Sequence, residues 1–62
     1  MTPQELHAAL DAARRERGLV WWKVAVQVGT DEATLRALKR GQTTAYHKAL
    51  AWLERHTGPS RR

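Results

Sequence analysis

Apolar residues along this chain recur every three to four positions in four blocks, separated by glycines and short polar stretches. Leu6, Ala9, Leu10 and Ala13 form the first stripe, and Trp21, Val24, Ala25 and Val28 form the second. Leu35 and Leu38 anchor the third. Tyr46, Ala49, Leu50 and Leu53 share a face in the fourth, with Ala45, Trp52 and His56 on a flanking strip. This is the period of helices that turn one face to a core. It predicts an all-α, compact four-helix domain, with room for one short extra turn and helices at about 3–17, 21–28, 31–40 and 44–56. Residues 1–57 make up the domain. The basic tail 58–62, with Gly58-Pro59 and two terminal arginines, is expected to be disordered.

The boundaries carry their own chemistry. Thr2, Pro3 and Glu5 spell a capping box with proline at the first helical position, and Gly18 ends that helix. The β-branched residues of 21–28 could suit a strand, but strict alternation fails at Trp21-Trp22-Lys23, so the segment is predicted helical. Gly29 suits a left-handed turn, Asp31 or Thr30 a cap, and Gly41 a stop after Lys39-Arg40. Helix, tight turn and helix in succession form a helix-turn-helix, a unit whose second helix can be presented to the major groove of DNA.

Charge sharpens this reading. Eleven Lys and Arg stand against six Asp and Glu, a formal net charge of +5 on 62 residues, which creates a field favouring polyanions. No apolar run approaches the ~18 residues of a membrane span, and neither a secretory signal nor a membrane partner is expected. With no cysteine, neither a disulfide nor a thiolate zinc site can supplement the core, which is compatible with a reducing cytoplasm. His7, His47 and His56 lie on different helices with no second ligand one turn away, so no metal is expected. The only serine is Ser60, and no paired carboxylates are available, so no catalysis, cofactor or small-molecule ligand is expected either.

Leu19, Val24-Ala25, Gly29, Leu35, Leu38 and Arg40-Gly41 together resemble the lambda-repressor/Cro-like helix-turn-helix family, typified by phage repressors and small bacterial regulators. The resemblance covers roughly residues 4 to 56. It implies a sequence-specific, double-stranded-DNA-binding transcription regulator, with Glu32, Ala33, Thr34, Arg36 and Ala37 at the positions that meet base edges. Arg36 could bond guanine O6 and N7, Thr34 could bond either way, the Ala33 and Ala37 methyls could touch thymine, and Glu32 could accept from cytosine N4. Arg40 matches the family position beside the phosphates, with Lys39 and Gln42 near enough to assist. Trp21 stands where relatives often carry a phosphate-binding glutamine, and Val20 where they carry a polar cap. The fifth helix with which many relatives dimerise has no room here, so the oligomeric state stays open, with a homodimer, formed in solution or on DNA alone, as one reading.

Other readings stay open beside this one. Arg36, Lys39 and Arg40 could simply form a solvated basic face, giving non-specific nucleic-acid binding by charge. Glu32 could serve the helix dipole alone. Trp22 and Val26 point away from the core stripe and, with Trp52, could form a protein interface. That alternative is an interaction module, such as an antitoxin or an assembly factor.

Overall fold

The computed structural model describes residues 1–57. The expected disorder of 58–62 lies outside them. The described chain is all-α, with α1 (Pro3–Arg17), α2 (Trp21–Val28), α3 (Glu32–Ala37) and α4 (Tyr46–Thr57), and a 3-10 turn at Leu38–Arg40 prolongs α3.

Local chemistry places each boundary. At the start of α1 the Glu5 N–H donates to Thr2 Oγ1 at 3.0 Å, and the Thr2 N–H donates to Glu5 Oε1 at 2.7 Å. Two donors that the helix itself cannot satisfy are thereby paired. Between α2 and α3, Gly29 adopts φ 96°, and its N–H and that of Thr30 both donate to the Ala25 carbonyl at 2.9 Å. Open space surrounds the position where a Cβ would sit, so it is the left-handed backbone and not crowding that favours glycine there. Asp31 then caps α3, its carboxylate accepting from the Thr34 N–H at 2.7 Å.

The end of α3 departs from the continuous helix expected over 31–40. After Ala37 the helix tightens, the Gly41 N–H donating to the Leu38 carbonyl at 3.0 Å and the Gln42 N–H to the Ala37 carbonyl at 3.1 Å. Tightening of this kind satisfies the last carbonyls while the chain reverses. α4 begins two residues later than expected because Thr43–Ala45 form a turn, closed by the Tyr46 N–H on the Thr43 carbonyl at 3.0 Å.

α1 packs along α4 and on the 3-10 turn, while α2 packs on α3 and α4. The core unites Leu6, Leu10 and Ala13 of α1, Val24, Ala25 and Val28 of α2, Leu35 and Leu38, and Ala45, Ala49, Trp52 and Leu53. This corrects two expectations for the fourth block. Ala45 belongs to the core and not to a flanking strip, and Trp52, placed on that strip as a possible interface residue, is 0% exposed. Alanines at 45 and 49 leave the volume that the indole fills. Its N–H donates to Gln27 Oε1 at 2.9 Å, so the ring is buried without an orphaned donor. No helix among the described residues is long and apolar enough to cross a membrane.

Candidate functional site

Leu35 and Leu38, 1% and 0% exposed, pin α3 and its 3-10 extension to the core and so define the edge turned to solvent. Ala33, Arg36, Lys39, Arg40 and Gln42 lie exposed along that edge, with Glu32 and Thr34 partly covered. Ala37 does not join them. It is 8% exposed, on a stretch where the chain folds back through Gly41 and Gln42 bonds its carbonyl, so its methyl is withdrawn from the exposed edge.

The polar residues divide by what already holds them. Hydrogen bonding from Thr34, through its side chain first and then its backbone, holds the Asp31 carboxyl below the ordinary range, so Thr34 is engaged in the cap. Glu32 Oε2 lies 3.9 Å from Arg36 Nη2, one helical turn away, and the Arg36 side chain remains 69% exposed. A pair that long and that exposed is worth about 0–1 kcal/mol, too little to keep the guanidinium from a better partner. Glu32 therefore orients Arg36 loosely without neutralising the edge. The Arg40 side chain makes no hydrogen bond or ion pair among the described residues.

A cleft of about 140 Å³ lies beside this edge, lined by His7 of α1, Trp21 of α2, Glu32 and Arg36 of α3, and Lys39 of the 3-10 turn. Trp21 forms its wall. The ring stacks on His7 with centroids 5.0 Å apart and planes at 19°, and the Arg14 guanidinium lies 5.0 Å from the ring centroid. Trp21, a member of the apolar stripe of α2, packs against the core and is half-buried. Its indole N–H has no hydrogen-bond acceptor among the described residues. α2 itself begins at Val20 with no side-chain cap, so donors of its first turn are also without side-chain partners. Arg14 is not free in the same way. It donates to Asp11 Oδ1 through Nε at 3.2 Å and Nη2 at 2.8 Å, and to the Leu19 carbonyl at 3.0 Å.

His7 titrates below the ordinary histidine range, chiefly because burial disfavours the charged ring and then because Lys39 repels it, with Asp11 opposing both. Sequence reasoning weighed His7 only as a metal ligand and missed its place in the cleft. Its neighbours come from α2, α3 and the 3-10 turn, so only its position on the flank of the Leu6–Leu10 stripe hinted at contact. Among the described residues no group of three or more His, Asp or Glu is placed to hold a metal ion.

On the far side of α2, Trp22 and Val26 are 56% and 67% exposed, as the helical period predicts. They line a shallow groove with Ala25, Thr30, Asp31, Glu32 and Ala33, and the Lys23 ammonium lies 5.8 Å from the Trp22 ring centroid. Trp52, buried on α4, contributes nothing to this surface.

Compared with protein-family models, characterised proteins and solved structures, the chain matches none. The functional reading therefore rests on the site's own geometry and chemistry.

Proposed function

We propose that this chain is a sequence-specific regulator that binds double-stranded DNA with α3 in the major groove, after the manner of the Cro-like repressors it resembles. One observation carries the reading: α3 and its 3-10 turn are seated by Leu35 and Leu38, and their outer edge presents Ala33, Arg36, Lys39 and Arg40, of which only Arg36 makes an ion pair among the described residues, a weak one to Glu32. Together α3 and the 3-10 turn extend about 15 Å, the length of some four base pairs, in a groove about 12 Å wide that admits a helix. Arg36 is assigned to base reading, with Ala33 beside it. Lys39, Arg40, Gln42 and Trp21 are assigned to phosphates, which position the protein without specifying sequence.

Affinity favours two copies. One monomer neutralising three phosphates gives a salt slope of about −2.7 and loses only about forty-fold between 50 and 200 mM salt. Two copies on a palindrome give about −5.4, in keeping with a specific complex. The described residues extend 32 × 23 × 17 Å, so two copies set with a shorter axis along the duplex fit in successive grooves about 34 Å apart. Selection from a random duplex library tests the reading. The wild type enriches one short motif, and Arg36→Ala changes the ranking of bound sequences. Enrichment of no motif by the wild type contradicts the reading.

The exposed Trp22–Val26 groove favours a second reading, an interaction module that binds another protein through this face. It predicts that Trp22→Ala abolishes partner capture while helicity is unchanged, and that DNA selection returns nothing.

A further inference from the structure

We propose that the cleft between α1, α2 and the end of α3 is a phosphate seat, in which His7, Lys39 and the Trp21 end of α2 hold one backbone phosphate, and that filling it loads a proton onto His7. The DNA-binding reading supplies the source of that phosphate, whereas the chemistry of the cleft stands on its own geometry. Three elements line it with residues that can donate: His7 from α1, Trp21 at the uncapped first turn of α2, whose indole N–H has no acceptor among the described residues, and Lys39 from the 3-10 turn. The uncapped end of α2 adds the positive pole of its dipole. At about 140 Å³ the cleft is several times the ~30 Å³ share of one water, room for a tetrahedral anion.

Charge in the cleft is unbalanced toward cations. Facing His7 are Asp11 on its own helix, Lys39 on the 3-10 turn, and Glu32 and Arg36 on α3. α2 contributes the uncharged Trp21, and no charged residue of α4 lines the cleft. Glu32 leans toward Arg36, and Asp11 is held by Arg14 and Arg15. The empty cleft thus pairs an ammonium with an imidazole that burial and Lys39 keep neutral. An entering phosphate offsets the repulsion from Lys39 and accepts a hydrogen bond from the imidazolium, so the protonated ring becomes the favoured form. Binding then takes up at most one proton per cleft. Affinity rises on acidification by up to about tenfold per pH unit, between the titration of His7 in the free and the filled cleft.

The test follows His7, His47 and His56 by NMR in the whole chain between about pH 5 and 8. Inorganic phosphate is compared with chloride at matched ionic strength, and a short duplex is titrated in parallel. Phosphate is expected to raise the His7 pKa and leave that of His47 in place. Lys39→Gln, an exposed substitution that leaves the core intact, raises the His7 pKa without phosphate and removes the phosphate response. Duplex affinity climbs toward acid in the wild type and in His47→Gln, but stays level in His7→Gln once circular dichroism shows that variant folded. Phosphate shifting His7 no more than chloride does, or shifting all three histidines alike, overturns the seat even where the duplex binds. A duplex that fails to bind at low salt while phosphate still moves His7 overturns the DNA reading and upholds the seat.

Discussion

On the α1–α4 side of the molecule Trp52, Arg14 and Arg17 are each satisfied from within. Trp52 is sealed in the core with its N–H on Gln27, the Arg14 guanidinium is shared between Asp11 and the Leu19 carbonyl, and the Arg17 guanidinium donates to the His56 carbonyl, tying the ends of the two helices together. Along α3 and its 3-10 turn the same residue types are left open, with Arg36 held by one 3.9 Å contact and Lys39 and Arg40 projecting into solvent. Guanidinium groups used by the fold contribute to its stability. Those the fold leaves unused are available to a ligand. Substitutions on the two sides should therefore fail in different assays.

The largest separation is expected at Trp52. Trp52→Ala removes a fully buried indole and costs about 3–5 kcal/mol, comparable to the whole stability of so small a domain, so urea denaturation should find it largely unfolded. Trp52→Phe retains most of the volume but gives up the hydrogen bond to the exposed Gln27, at a cost of about 0.5–1.5 kcal/mol. Arg36→Ala reverses the pattern. Stability stays within about 0.5 kcal/mol of wild type in the same urea experiment, while discrimination between duplexes falls by about 1–3 kcal/mol. Arg40→Ala sharpens the contrast within the edge. It weakens every duplex alike and flattens the salt slope by about 0.9 per monomer, read from affinity at several salt concentrations.

The smallest effect concerns pH. His7 and His56 both titrate below the ordinary range, chiefly through burial, aided by Lys39 for His7 and by Arg17 and then Arg55 for His56. A histidine lowered in the folded state costs nothing above its unfolded pKa. Its penalty grows as pH falls below about 6.5, because the unfolded chain then binds more protons. Stability of the free protein should thus decline on mild acidification, and His7→Gln should blunt that decline in thermal melts taken across this range. A second decline follows at lower pH, where Asp31, Asp11 and Glu5, all lowered by their hydrogen bonds, take up protons and release the groups they hold.

Much of the fold was legible because it is locally encoded. The capping box at Thr2 and Glu5, the left-handed glycine at 29 and the Asp31 cap each depend on residues a few positions apart, and α1 and α2 run over the expected residues. What was not legible depends on contacts across the chain. The inward position of Trp52 follows from the space left by Ala45 and Ala49 and from an acceptor on α2, neither visible in the period of α4 alone. Ala37 shares the helical register of Ala33, yet the 3-10 tightening and the fold-back at Gly41 withdraw it. The stacking of His7 on Trp21 joins residues on different helices. The outward positions of Ala33, Arg36, Lys39 and Arg40 were readable because Leu35 and Leu38 set the register of α3.

A ratio of affinities decides whether α3 reads base sequence through Arg36. The affinity for the duplex that wins a random-library selection is divided by that for a scrambled duplex of the same length and composition, at one salt concentration. For the wild type the predicted ratio is about 10³ or more, and Arg36→Ala lowers it by about ten- to a hundred-fold without changing the affinity for the scrambled duplex to the same degree. A wild-type ratio near one, or a ratio that Arg36→Ala leaves untouched, contradicts it.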